Sequence, residues 1–484
     1  MNLKEYHDAR YPFVWFETTE EDRIIRESRA VFPDETNIFV WDILSGFSRI
    51  NGDSIPIPVS NQNDVAIPER PRLALQQVPG LPPDSLIFMK DFHKFFEQIS
   101  ISRQALNIKG TLKENGQTIA FLAAGSNIPV ELKNDITVDD FRYPDESELM
   151  EILGMVSEDN KLEIPKDSET IVNAMRGLTW EGAENTLALS LARHGCFDTA
   201  TILKQRATQI ASGGIMEFGN YTEKLKDLYG LDTMIDYILK TIKSPKARGV
   251  LIYGTPGSGK SHTAKGLANE LGWPCIILKF SALKDKYQGV AESKLRDSFK
   301  SIRAVGRCIV FMDEIEAIAT GISSGGDNGV GQTLYKELLM EMEDSRGKGA
   351  YWVGTCNDLG PLIHESGGAI LRRFSGIFFA DLPDEEQARG IAKIWERKEG
   401  VNIPESFSLD GYSGADIAKL AETMAMMDCT AEDASRFVLP YGKAHKDQLE
   451  LIRQKAEGTC IWASPRKGVA SLSSLRSSRK VKVV

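Results

Sequence analysis

Short apolar runs alternate with amphipathic stretches along this chain. YPFVWFET (11–18), NIFVWDIL (37–44), SLIFMKDF (85–92) and QTIAFLAAG (117–125) are rich in β-branched and aromatic residues, the composition of strands. Between the first two, EEDRIIRESRAVF (20–32) sets Ile24, Ile25, Ser28 and Val31 on one helical face. A polar, proline-containing stretch over 48–72 reads as a long surface loop. Helical residues then run from about Glu146 to Arg206 and stop at the small-residue patch ASGG (211–214), a linker signal. Beyond it the scheme repeats. A helix, TMIDYILKTIK (233–243), precedes the strands RGVLIYG (248–254), PCIILKF (274–280), CIVFMDE (308–314) and AYWVGTC (350–356), each followed by a helical segment. From about Asp384 to Gln454 the pattern is helical, and the tail after Trp462 is Ser- and Lys/Arg-rich, the composition of a disordered segment. Strand–helix alternation of this kind predicts an α/β fold, with parallel sheets covered by helices.

Composition narrows the function classes. At 484 residues the chain is long enough for two or three domains, and 42% hydrophobic with 26% charged residues is the balance of a soluble globular protein. A net charge of −10 opposes general binding to nucleic acid or anionic membranes, which needs clustered Lys and Arg. The exception is the tail, where Arg466, Lys467, Arg476, Arg479, Lys480 and Lys482 occur with no acid between Ser464 and Val484. Nucleic acid is therefore an expected partner only through that tail. The opening MNLKEYHDAR is too charged for a secretory signal. No apolar run approaches the roughly 18–20 residues that span a bilayer, so a cytoplasmic protein without membrane contact is expected. Six scattered cysteines with no C-x-x-C pair read as buried, reduced thiols.

The chemistry concentrates in the second half. GTPGSGKS (254–261) fits G-x-x-x-x-G-K-[ST] between a strand and the helix HTAKGLANEL. In that setting the backbone of Thr255, Pro256, Gly257, Ser258 and Gly259 wraps phosphates. Lys260 reaches the β- and γ-phosphates, Ser261 ligates Mg²⁺, and His262 continues the helix start. About fifty residues on, CIVFMDE delivers Asp313 to the metal and Glu314 as the base that polarises water. Asn357, ending the next strand in GTCND, is placed to orient that water beside Glu314. Arg372 and Arg373 in AILRRF are either a solvated helix end or arginine fingers that reach a neighbouring subunit's γ-phosphate.

These features in this order resemble the AAA+ ATPases, and within them the AAA clade. LYGLDTMIDYI (228–238) is similar to that family's lead-in segment, in which Leu228, Tyr229 and Gly230 would contact adenine. LRRFSGIFFADLPD (371–384) resembles the same stretch in katanin and spastin, and DGYSGADI (410–417) resembles the lid motif, with Gly414 and Ala415 against the nucleotide. The resemblance covers about 215–440. It implies a RecA-like core with a helical lid, ATP with Mg²⁺, and a hexameric ring with its sites between subunits. KYQG (286–289) falls where the family's first pore loop lies. Tyr287 is then either a packing anchor or the aromatic residue that grips a substrate chain. Two features depart from the pattern. GISSGGDNGVGQTLYKELL (321–339) has Gln332 and no Arg where many relatives carry one, and no spacer separates Arg372 from Arg373. No H-E-x-x-H occurs, which excludes a fused zinc protease of that type.

The first half reads as a degenerate cousin of the second. After its first strand come Glu20, Glu21 and Asp22, which repel phosphate. DSLIFMKDF copies the metal-site strand, but Phe92, not an acid, follows Asp91. QTIAFLAAGSNIP ends near Asn127 as a copy of the Asn357 strand, and FRYPDESEL (141–149) echoes FFADLPDEEQ (378–387). YPFVWFETTEEDR, VWDILSGF (40–47), the Asp91 strand and the 108–132 region resemble a AAA ATPase family encoded in chloroplast and cyanobacterial genomes. The expected organisation is a degenerate P-loop-like domain over 1–210, a AAA+ core over 215–383, a lid over 384–460 and a basic tail over 461–484. Three functions stand at this point: an ATP-driven remodeller or translocase of an unknown protein client, an ATP-controlled assembly switch with slow hydrolysis, and a nucleic-acid motor.

Overall fold

The structure is a computed structural model that describes residues 2–50, 65–124, 128–139, 141–211, 215–219, 221–280, 288–317, 330–364 and 367–465. Its contacts divide the chain into two compact units. One comprises Met1–Glu163 with Thr179–Asn185, the other Ile164–Leu178 with Thr186–Val484.

The first unit is built on β1 (Phe13–Glu17), β2 (Ile38–Asp42), β3 (Gly46–Arg49), β4 (Leu86–Lys90), β5 (Thr118–Ala123) and β6 (Ile136–Asp139). They stand in the order β3-β2-β4-β5-β1-β6, all parallel except the β2–β3 pair. The second unit contains β7 (Met216–Gly219), β8 (Gly249–Gly254), β9 (Cys275–Leu278), β10 (Cys308–Met312), β11 (Ala350–Cys356), β12 (Gly376–Ala380) and β13 (Ile461–Trp462). Their order is β13-β12-β8-β11-β10-β9-β7, with only β7 antiparallel to its neighbour. Without the edge strands β3, β7 and β13, both sheets read fifth, first, fourth, third, second in chain order. The mostly parallel sheets with helices are the α/β class that the strand–helix alternation predicts.

The strands are buried on both faces. Along β1, Phe13 and Trp15 join Trp41, Met89 and Phe121 on one side, while Val14 and Phe16 join Leu86, Phe88 and Leu122 on the other. Along β8, Leu251 and Tyr253 pack with Val310 and Trp352, and Val250 and Ile252 with Ile309 and Val353. Two-sided burial requires near-continuous apolar runs, which is why these strands stand out in the sequence. Both units also start a helix the same way after the fifth strand. Asp145 caps Glu146–Asp159 in a reciprocal capping box with Glu148, and Asp384 caps Glu385–Glu399 with Gln387. A separate apolar cluster, including Ala388, Leu409, Ile417 and Leu420, forms the core of the lid.

Several elements differ from the sequence reading. The strand expected over 37–44 ends at Asp42. Asp42 Oδ1 accepts the Leu44 and Ser45 N–H groups at 2.7 Å and Gly46 takes φ +74°, so the chain turns back into β3. The helix Arg70–Gln77 begins inside the stretch read as loop. Helices Ser168–Met175 and Thr199–Ala211 group with the second unit, so the unit boundary comes before the ASGG linker signal. The reason is packing: Ile210 enters the core beside Met216 and Val305, and the Arg206 guanidinium lies 5.8 Å from the Phe218 ring. Cys196 is exposed, in contrast to buried Cys275, Cys308 and Cys356. Among the described residues, no helix is long and apolar enough to cross a membrane.

Candidate nucleotide-binding site

Between the end of β8 and the helix Lys260–Leu271 lie five residues, 255–259. Gly257 and Gly259 take φ of +75° and +83°, a region that other residues enter at a cost. A Cβ on Gly254 would lie 2.1 Å from the Ala380 carbonyl oxygen, so this strand end must be bare. The loop holds itself in shape: Ser258 Oγ donates to the Thr255 carbonyl, and Lys260 Nζ donates to the carbonyls of Gly254 and Thr255, all at 2.8 Å. Lys260 is only 8% exposed. Burial pushes its ammonium down to about 8, against the opposing pull of neighbours that include Glu316, Asp313 and Glu314.

Strand β10 carries the acids to the same place. The Thr355 hydroxyl, from β11, donates to Asp313 Oδ1 and accepts the Glu314 N–H at 3.1 Å. Glu314 itself sits at φ +49°. Asn357 Nδ2 donates to Glu314 Oε1 at 3.3 Å, and the Asn357 N–H donates to Glu316 Oε1 at 2.9 Å. Burial raises the Glu316 carboxyl above its ordinary value. The ends of two neighbouring strands are thus cross-linked through the side chains that face the loop.

Lys260, Asp313, Glu314 and Asn357 line one cleft of ≈ 960 Å³. Of the residues picked from the sequence, it brings together Leu228, Tyr229, Pro256 through His262, Asp313, Glu314, Asn357, Gly414 and Ala415. The lid meets the loop directly, since the Ala415 N–H donates to the Gly257 carbonyl at 3.3 Å. Thr255 does not line the cleft; its side chain is buried, and its carbonyl serves the site by holding Lys260 and Ser258. Gly230 is turned towards Gln387 and is also outside the lining. Arg372 and Arg373 are not part of this cleft, and Tyr287 lies outside the described residues.

Sequence reasoning missed Thr355, Glu316, Trp395 and Lys398. Trp395 and Lys398 line the lid side, with the ammonium 3.9 Å from the indole ring. Thr355 and Glu316 sit beside residues already singled out, but their bonds depend on strand pairing that no motif encodes. The oxygen donors suit magnesium. Ser261 and Asp313 offer a hydroxyl and a carboxylate, and Mg²⁺ typically takes one or two such protein ligands and completes its shell with phosphate and water.

The corresponding end of the first sheet is different. Only residues 18–20 separate β1 from the helix Glu21–Val31. Glu20 accepts the Trp180 N–H at 2.5 Å and pairs with Arg23 at 3.1 Å; Lys90 pairs with Asp22 at 2.8 Å and Glu21 at 3.3 Å. Asp91 pairs with Lys94, and Phe92 is fully buried with its ring against Trp41, Phe96 and Phe121. Asn127 lies outside the described residues.

Residues 250–382 match the ATPase family associated with various cellular activities (AAA), and residues 1–141 match the SpoVK-like AAA ATPase N-terminal domain. The AAA domain-containing protein ycf46 of Trieres chinensis is 30% identical over 438 residues, covering 86% of this chain and 84% of the relative. The chain belongs to the ycf46 family of AAA ATPases. A second ycf46 protein, from Guillardia theta, is 28% identical over 81% of this AAA ATPase and 78% of its own length. The FtsH ATP-dependent zinc metalloprotease of Aster yellows witches'-broom phytoplasma is 36% identical, but over only 37% of this AAA ATPase and 27% of its own chain.

Proposed function

We propose that this AAA ATPase binds ATP with Mg²⁺, hydrolyses it, and works as a homo-oligomeric ring, most simply a hexamer, that remodels or translocates protein clients. The observation that carries the hydrolytic part is the Glu314–Asn357 bond in the same cleft as Lys260, Ser261 and Asp313. The loop N–H groups and the start of the helix Lys260–Leu271 favour the phosphates. Lys260, already poised on two loop carbonyls, adds its charge. Ser261 and Asp313 would hold the metal, which supplies charge neutralisation at the phosphates. Glu314 takes the proton of the attacking water, and Asn357 fixes the carboxylate that receives it. Membership of the AAA ATPases supports the reaction class.

The arginines support the ring. Arg373 is tied within its own chain to Glu343 at 2.5 Å, and Glu343 also binds Arg248 at 3.1 Å. Arg248 in turn donates to the Arg372 carbonyl at 3.0 Å. Arg372 is exposed, and its guanidinium makes no ion pair among the described residues. In this reading Arg372 is the finger that reaches a neighbour's site, and Arg373 braces it. Tyr287 remains the residue proposed to grip the client.

The test is the mass in solution of Glu314→Gln, a variant meant to hold ATP. Species of about six subunits should form with ATP and Mg²⁺ and fall apart without them. Arg372→Ala should then bind ATP yet fail to hydrolyse it, and Tyr287→Ala should hydrolyse ATP without processing client. A monomer or dimer under both conditions leaves Arg372 nothing to reach, and the assembly-switch reading takes over.

A further inference from the structure

The Asp313–Glu314 turn is an awkward piece of backbone. Glu314 adopts φ +49°, a conformation that residues with a side chain rarely take, at the position proposed to receive a proton. Something outside the turn has to hold it there. The candidates are few, because Asp313 and Glu314 are both exposed to the cleft and Ile315 is packed in the core.

One residue of the neighbouring strand makes three bonds to this turn. The Thr355 hydroxyl donates its proton to Asp313 Oδ1. The same oxygen accepts the Glu314 N–H at 3.1 Å. The Thr355 carbonyl accepts the Ile315 N–H at 3.0 Å. Thr355 is 1% exposed, so the hydroxyl is screened from bulk water and these partners satisfy it. The pairing of Thr355 with Ile252 of β8 fixes its depth in the sheet, two positions before the end of the strand that leads into the phosphate loop. Buried in this way, the hydroxyl has a single hydrogen to give, and giving it to Asp313 leaves its lone pairs for Glu314.

We infer that Thr355 is a positioning residue for the nucleotide reaction: its hydroxyl fixes the Asp313 carboxylate for the magnesium ion and holds the Glu314 backbone in its left-handed turn. The inference rests on the hydrolytic reading of the cleft. Thr355 does not line the cleft; it acts through the two acids. Removing its hydroxyl frees Asp313 to rotate and leaves the Glu314 N–H without its acceptor, while the methyl group and the packing of β11 stay. Outer-shell partners of metal ligands typically matter by about 10–100-fold in metal affinity or activity.

The test compares the parent with Thr355→Val, which keeps the shape, and Thr355→Ser, which keeps the hydroxyl. Binding of a non-hydrolysable ATP analogue is measured by calorimetry in EDTA and in Mg²⁺, and kcat and KM for ATP are measured alongside. Thr355→Val should bind the analogue like the parent in EDTA and lose about 10-fold or more of the gain that Mg²⁺ gives. Its kcat should fall by about 10–100-fold, and Thr355→Ser should restore both. If Thr355→Val does not fold, Thr355→Ala takes its place in the same comparison. Equal magnesium dependence in Val, Ser and parent proteins overturns the inference, as does a Ser variant no better than Val. Should the parent itself fail to hydrolyse ATP, the hydrolytic reading falls, and the magnesium-dependent binding still decides the role of Thr355.

Discussion

In the second sheet β8 gives way to five loop residues before its helix begins at Lys260; in the first, β1 gives way to three before the helix at Glu21. Around those ends the strand order is the same. One loop is glycine-rich, with two positive φ angles and a lysine held on its carbonyls. The other is short and leads into Glu20, Glu21 and Asp22, and Lys90 pairs with the last two. At the third strand, Asp313 and Glu314 face a cleft, whereas Phe92 turns into an aromatic core beside Trp41 and Phe121. The difference teaches which parts of such a sheet belong to folding and which to chemistry. Strand order and two-sided burial occur in both units. Among the described residues, the glycine-rich loop, the second acid and the bare glycine at the strand end occur in one.

The sharpest way to break the comparison is through rate. Glu314→Gln should lower kcat for ATP hydrolysis by about 100–10,000-fold while leaving ATP binding intact, as steady-state assays beside calorimetry would show. Turnover equal to the parent would mean that another group is the base. Next in size is a change in the first unit. Phe92→Ala should cost about 3–5 kcal/mol in chemical denaturation of the first unit without altering ATP affinity, because a ring with no exposed surface is lost from its core. A smaller effect follows from pH. Burial pushes Lys260 from its ordinary 10.5 to about 8, and bound phosphates favour the charged form. Binding should therefore take up a proton above pH 8 and not well below it. Affinity should weaken as pH rises through 8, by up to about tenfold per unit. Titrations in buffers of different ionisation enthalpy would detect the uptake. The smallest effect is expected at Lys90→Ala, which removes partly exposed ion pairs and should change stability by about 0–1 kcal/mol and ATP affinity not at all.

How much of this was legible in the sequence depended on how local the cause was. The buried strands were legible because each is a continuous apolar run. The glycine-rich loop was legible because the residues that shape it sit within eight consecutive positions, 254–261. The β2–β3 turn was written locally too, in Asp42 and Gly46, but it was masked by the apolar run on either side. Strand β13 was not legible. It is two residues long, Ile461–Trp462, and pairs with β12 only after the chain has passed through the whole lid. Thr355 escaped for a similar reason, since its partners Asp313 and Glu314 lie about forty residues away across a strand pair. Trp395 and Lys398 come to the cleft only because the lid helix folds over it.

The most direct test of the account is the number of ATP molecules bound per chain, measured by calorimetry on the full-length protein with Mg²⁺, for the parent and for Lys260→Ala. The account predicts one site per chain in the parent and none in the variant, because the glycine-rich loop and Lys260 belong to the second sheet. Two sites in the parent, or one that survives in Lys260→Ala, would place a working nucleotide site in the first sheet and contradict it.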